Sequence, residues 1–186
     1  SIRLIKGCEF SSQWQGREIH IVGLNLDLQT TELLDGLARQ QQMRSRRAER
    51  IAAQLARLGY KDSYAGAVQL ANGSGLGRPH FARYLVEAGA VSNFQQAFKR
   101  YLAAGKPAYV RAEWANIEQV CGWIADAGGV AVLAHPLKYK MTLTKLRSLL
   151  VAFKDVGGDG IEVISGAQRP EQTRSMAALA RQFELQ

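Results

Sequence analysis

The chain has 186 residues and three histidines, His20, His80 and His135. His135 follows the apolar run Val130-Ala131-Val132-Leu133-Ala134 and precedes Pro136. That puts it at the C-terminal end of a strand, where parallel α/β folds build their sites. A histidine that merely caps a strand satisfies the same pattern. His20 shares one face of the alternating segment Glu18 to Leu24 with Glu18 and Val22. It is either a neutral imidazole ligand aimed into a cleft or a hydrogen-bonded strand residue. Glu9 stands in a short strand-like stretch after Gly7-Cys8. Two imidazoles and a carboxylate on separate strand ends make a chemically sensible ligand set for Zn²⁺, Mn²⁺ or Fe²⁺. Each of the three, taken alone, is an ordinary strand or surface residue.

His80 belongs to a different setting. A glycine-rich stretch, Ala71 to Gly77, leads into Arg78-Pro79-His80, with proline suited to the first turn of a helix. Free N–H groups at such a helix start, together with an arginine fork, suit phosphate oxygens. A flexible linker before a capped helix explains the same residues. No G-x-x-x-x-G-K-[ST] occurs, which excludes a P-loop. No Ser-His-Asp or Cys-His order can be assembled either, since the acid closest before His135 is Asp126. A covalent hydrolase is therefore disfavoured.

The elements that must hold these residues follow from pattern and punctuation. Ile2 to Ile5, Cys8 to Ser11 and Glu18 to Leu24 read as strands. From Thr31 to about Leu58 the spacing is helical. Leu37, Ala48, Ile51, Leu55 and Leu58 lie on one side, a stripe of Arg39, Arg46, Arg50 and Arg57 lies opposite, and Gly59 stops the helix. Residues 31–110 contain no convincing strand and read as an inserted helical lobe, with a helix from about Asn93 to Ala103. Beyond Pro107 the expected order is helix (Trp114 to Ala127), strand (Val130 to Ala134), helix (Thr144 to Val156), strand (Gly160 to Ile164) and helix (Pro170 to Glu184). Alternating β and α units with short glycine turns predict an α/β fold with a parallel sheet, open or closed as a barrel. Residues 1–30 with 111–186 then form the barrel portion.

Composition narrows the function classes. With 47% hydrophobic and 22% charged residues, the chain is neither disordered nor low-complexity. Cys8 and Cys121 have no C-x-x-C companion, which argues against a zinc ribbon or disulfide framework and for a reducing, cytoplasmic setting. No apolar stretch approaches the roughly 20 residues that span a bilayer, so no membrane association is expected. The surplus of Lys and Arg, 24 against 16 acidic residues, gives a net charge of +8 and suggests an anionic partner such as a nucleic acid or nucleotide. The arginine stripe is a solvated helix face or a cationic surface for a partner.

Five segments together resemble the PHP (polymerase and histidinol phosphatase) family. They are Gly7-Cys8-Glu9-Phe10-Ser11, Glu18-Ile19-His20-Ile21-Val22-Gly23, Gly77-Arg78-Pro79-His80-Phe81-Ala82, Ala131-Val132-Leu133-Ala134-His135-Pro136 and Gly160-Ile161-Glu162-Val163. Their order and spacing match the stand-alone bacterial branch over essentially the whole chain. The resemblance implies a distorted (β/α)₇ TIM-like barrel, here partial, with a small inserted helical lobe. It also implies a cluster of two or three divalent metal ions, with Mn²⁺ preferred over Zn²⁺, Fe²⁺ or Mg²⁺. Glu9, His20 and His135 match metal-ligand positions, with Glu9 and His135 the catalytic pair. Arg78 and His80, with Lys138 and Tyr139 after the His-Pro turn, match positions that face the substrate phosphate. The implied activity is a metal-dependent phosphoesterase. It hydrolyses nucleoside 3′,5′-bisphosphates, or short RNA from the 5′ end, through attack by a metal-activated hydroxide.

The family pattern opens with a His-x-His strand followed by an Asp and another His, and closes with an Asp-x-His. None of these occurs in this sequence. The start at Ser1 and the unclosed helix at the end fit the same expectation: an incomplete fragment, inactive by itself, with unpaired barrel edges through which it could self-associate. Two alternatives compete, a non-catalytic basic nucleic-acid-binding module using the arginine stripe, and the PHP domain of a DNA polymerase.

Overall fold

Gln15 and Gly16 both take positive φ, 45° and 75°, the backbone of a type I′ turn, which twists in the same sense as the strands it joins. The turn closes a hairpin between β1 (Gly7–Trp14) and β2 (Arg17–Leu24). In its register Glu9 lies opposite Val22, Phe10 opposite Ile21 and Ser11 opposite His20. The computed structural model describes residues 2–73 and 75–186; Ser1 and Ser74, both within readings above, lie outside them.

The sheet has four strands in the order β1-β2-β3-β4, with β3 at Val130–Leu133 and β4 at Gly160–Ile161. The parallel pairing expected of the alternating units after Pro107 holds for their two strands, but it does not extend to the whole sheet. β1–β2 and β2–β3 are antiparallel, and only β3–β4 is parallel. A two-residue turn can join only antiparallel neighbours, whereas the β3–α6–β4 crossover, with α6 at Leu143–Asp155, is long enough to return the chain in the same direction. Ile2 to Ile5 form no strand. Ile2 and Leu4 are 100% and 85% exposed, because apolar content without a neighbouring strand leaves the backbone to water. The last strand is also shorter than expected. Past Ile161 the chain turns away through Ser165 and Gly166, whose φ of 68° needs a glycine-like conformation.

The helices are α1 (Thr31–Arg57), α2 (Ser63–Ala71), α3 (Arg78–Glu87), α4 (Phe94–Ala97, continued by a π-helical turn at Phe98–Leu102), α5 (Ile117–Asp126), α6 and α7 (Pro170–Gln182). Helix α5 starts three residues after Trp114 because Asn116 caps it. The Asn116 side chain accepts from Gln119 N–H at 2.8 Å, and the Gln119 side chain accepts in turn from Asn116 N–H at 3.2 Å. Gly59, at φ 98°, ends α1 by placing the Tyr60 N–H on the Leu55 carbonyl at 3.0 Å.

The chain divides into two compact units, Ser1–Gln40 with Trp114–Gln186, and Gln41–Glu113. The division falls inside α1 and not at Thr31, where the sequence period changes. Leu33 and Leu37 pack in the first core, and a Cβ on Gly36 would meet the Trp123 ring at 2.4 Å. The first core gathers Phe10, Ile19 and Ile21 from the hairpin, Leu133 from β3, Ile124 from α5, and Leu149, Leu150 and Phe153 from α6. The second is separate and all-helical, built on Ile51, Leu55, Phe81, Leu85 and Leu102. No strand occurs in Gln41–Glu113 among the described residues.

Candidate metal centre

Sheet geometry brings the three expected ligands together. In β2, Ile19, Ile21 and Gly23 are buried while Glu18, His20 and Val22 face away from the core, as the alternation predicts. Glu9 opposes Val22 and His20 opposes Ser11, so Glu9 and His20 are diagonal neighbours on that outer face. The Glu9 Oε1 and His20 Nδ1 atoms lie 2.5 Å apart. His135 arrives from the end of β3. Its φ of 32° places a non-glycine residue in the left-handed region, a strained conformation that Pro136 makes less comfortable still. That bend turns the ring back over the sheet. His135 Nε2 sits 3.3 Å from Glu9 Oε1, and its ring packs edge-on against His20 with centroids 5.0 Å apart.

Two neighbours hold the bend. Glu162, one residue past β4, accepts the His135 backbone N–H at 2.6 Å. Tyr139 ties the strand ends together: its hydroxyl donates to the Ala134 carbonyl at 2.6 Å and accepts the His20 N–H at 2.9 Å. Burial pushes the Tyr139 phenol well up from its ordinary range, so it stays a neutral donor. His20 is raised from its ordinary value, first by its hydrogen bond to Glu18 and then by Glu9, against burial. Burial pushes Glu9 up as well, but its hydrogen bonds with His20 and His135 win and hold it below the usual carboxylate range.

One donor atom from each of Glu9, His20 and His135 can be chosen so that all lie within 4.8 Å of one another. Donors that share an ion at about 2.0–2.2 Å stand at most about 4.4 Å apart, so small side-chain adjustments bring the set to bonding range. The residues present therefore fit a divalent cation. A cavity of about 480 Å³ opens beside them, lined in part by Glu9, His135, Lys138, Glu162 and Ser165.

Of the seven residues singled out from the sequence, five meet in the first unit: Glu9, His20, His135, Lys138 and Tyr139. Lys138 is exposed and reaches the cavity. Tyr139 spends its hydroxyl on two backbone groups. Arg78 and His80 open α3 in the second unit, where His80 Nδ1 accepts the Gly77 N–H at 3.1 Å and so caps the helix. Glu162 was not singled out. Its signal was available in Gly160-Ile161-Glu162, an acid directly after a short apolar strand, but nothing local showed that it would reach the backbone of His135.

No family model matches the chain. A 5′-3′ exoribonuclease of Haemophilus influenzae is 47% identical over 185 residues, covering all of this chain and 67% of the relative. The PHP reading is decided by that match. The chain belongs to the PHP family. A 3′,5′-nucleoside bisphosphate phosphatase of Chromobacterium violaceum, 39% identical, covers 95% of the chain and 62% of its own length is matched. Two solved structures agree with this PHP assignment. An amidohydrolase from Chromobacterium violaceum, with bound sulfate, superposes with a TM-score of 0.88 at 38% identity over 97% of this chain and 64% of its own. A protein assigned as a metal-dependent phosphoesterase from Bifidobacterium adolescentis gives a TM-score of 0.81 at 26% identity, with the same coverage. The PHP chain thus spans about two thirds of the length of the proteins it matches. Its fold is mixed α/β with a four-stranded sheet, and no helix among the described residues is long and apolar enough to cross a membrane.

Proposed function

We propose that this chain carries the metal-binding heart of a phosphoesterase that hydrolyses nucleoside 3′,5′-bisphosphates or trims short RNA from its 5′ end. The observation that carries the reading is the convergence of Glu9, His20 and His135 beside a cavity that also holds Lys138. A divalent ion held there would polarise the phosphate oxygens and lower the pKa of a bound water. Glu9, ionised and central, would hold the ion by its carboxylate, and His20 and His135 by neutral ring nitrogens. Lys138 would steady the negative phosphate from the cavity wall. Glu162 fixes the His135 backbone and Tyr139 fixes both strand ends, so the ligands are positioned before substrate arrives. Arg78 and His80 remain candidates for phosphate contact from α3. The remaining ligands of a two- or three-ion cluster, closure of the sheet into a barrel, and Mn²⁺ as the preferred ion belong to the same proposal for the longer parent.

Elemental analysis of this chain and of a version extended at both ends, each then offered adenosine 3′,5′-bisphosphate with a phosphate-release readout, tests it. Two or more ions and turnover in the extended protein are expected. Absence of both would sink the reading.

A further inference from the structure

The net charge of the chain is carried entirely by one unit. Gln41–Glu113 contains twelve Lys and Arg against four Asp and Glu, a net charge of +8, whereas Ser1–Gln40 with Trp114–Gln186 contains twelve of each. Within the helical unit the excess is focused. Arg46, Arg47 and Arg50 from one turn and a half of α1 meet Arg111 and Glu113 around a cavity of about 100 Å³. Arg46 and Arg50 are four apart on the helix, a spacing at which like charges repel. The Arg47 Nε–H donates to the Val110 carbonyl at 3.0 Å, which fixes its guanidinium in place. Glu113 accepts from Arg50 at 2.8 Å, and among the described residues the lining carries four guanidiniums and this one carboxylate.

A lining with this excess of cations suits an oxyanion. Guanidiniums offer planar forks that match phosphate oxygens two at a time, and a cavity of this volume admits a phosphate group. The same unit carries further cations. Lys99, Arg100 and Lys106 line a second, open groove of the same unit beside Tyr101, whose ring Arg100 covers at 5.3 Å. Two cationic sites on one unit suit a polyanion of regularly spaced phosphates.

We propose that the cavity of Arg46, Arg47, Arg50 and Arg111 seats a backbone phosphate of single-stranded RNA, at a nucleotide other than the one at the metal centre. The proposal rests on the reading of the parent as an enzyme acting on RNA, and it gives the helical unit the task of holding the strand.

The experiment is fluorescence anisotropy of a 3′-labelled oligoribonucleotide of about 12 nucleotides with the full-length protein in EDTA, between about 50 and 200 mM salt. The triple variant Arg46→Gln, Arg50→Gln, Arg111→Gln should lose about tenfold or more in affinity and about 0.7 unit of log–log salt slope, the amount expected for one lost phosphate contact. Arg47 is left in place because it braces the Val110 backbone. Glu113→Gln, which removes no cation, should bind more tightly. An unchanged slope in the triple variant overturns the proposal. So does an equal loss from Lys99→Gln, Arg100→Gln, Lys106→Gln, which would mean a diffuse basic surface. Displacement of the RNA by equimolar inorganic phosphate also overturns it, in favour of a free-phosphate site. Because chelator is present throughout, these outcomes are independent of metal-dependent phosphate release, whose absence would instead remove the function proposed above.

Discussion

The two units differ in what their charges are for. The first is electrically balanced and spends its polar groups in pairs and networks: Glu9 with two histidines, Glu162 with the His135 backbone, and Glu18 with the Trp114 indole at 2.9 Å. The second holds an unbalanced excess of cations, and Arg46, Arg47, Arg50 and Arg111 crowd a single small cavity. Catalytic centres need few charges in exact relative positions, because developing charge is stabilised by groups already oriented. Binding a polyanion needs many charges with looser positions, because the gain comes from released counterions. On the two proposals above, the neutral unit would have the first character and the basic unit the second, and the division by charge would be a division of labour.

The sharpest way to break that comparison is at the metal centre. In the extended protein, Glu9→Ala or His135→Ala should lower bound metal and reduce phosphate release by more than about 10³-fold, since metal assistance supplies several kcal/mol. RNA affinity in chelator should stay as it was. A loss of both together would mean that the two units do not divide the work. Elemental analysis and anisotropy on the same preparations decide it.

Next in size are the two cores. Phe153→Ala and Phe81→Ala each empty a fully buried site, and each should cost about 3–5 kcal/mol. If the cores are separate, Phe153→Ala should lower the melting of the sheet-bearing unit and Phe81→Ala that of the helical unit, followed by hydrogen exchange at β2 and α3. A common drop in both would show that they unfold together.

Smaller effects are expected from the groups that position the ligands. Glu162→Gln weakens the acceptor for the His135 N–H and should cost about 10–100-fold in metal affinity, the usual range for such supporting partners. Tyr139→Phe removes the hydroxyl from two backbone groups and should destabilise the protein by about 1–3 kcal/mol. Unchanged affinity and stability in these two variants would show that His135 holds its left-handed turn unaided.

Smallest is the titration of Cys121. Desolvation pushes its thiol up to about 12 from an ordinary 9. Because the folded pKa is raised, the thiol stays protonated at neutral pH, and the stability that its burial contributes is present below about pH 9 and lost as pH rises toward 12. Alkylation at pH 8 should label the half-buried Cys8 alone, and both thiols only after denaturation. Rapid labelling of Cys121 in the native protein would contradict the packing of the first core.

Local pattern sufficed for much of the molecule. The 3.6-residue spacing from Thr31 onward, ended by Gly59, marks α1 almost to the residue, because an amphipathic period and a left-handed stop are properties of neighbours in sequence. The alternation in Glu18 to Leu24 likewise told which face His20 would share with Glu18. The same locality explains why Ile2 to Ile5 form no strand and why the hairpin joins the parallel β3–β4 pair in antiparallel sense. A strand exists only where another strand meets it, and direction is set by the partner.

The site divides in the same way. The choice of Glu9, His20 and His135 as candidate ligands came from the sequence and its resemblance to the PHP family. Their distances did not. The approach of Glu9 to His20 depends on the hairpin register, and that of His135 on a strained turn held by Glu162, 27 residues on, and by Tyr139. Likewise Arg46 and Arg50 of α1 read as part of a stripe from period alone, while their meeting with Arg47 and with Arg111, some sixty residues further along, required the fold. Residue type and local period are carried by the chain one turn at a time; which charges come within a few ångströms of one another is decided by long-range packing.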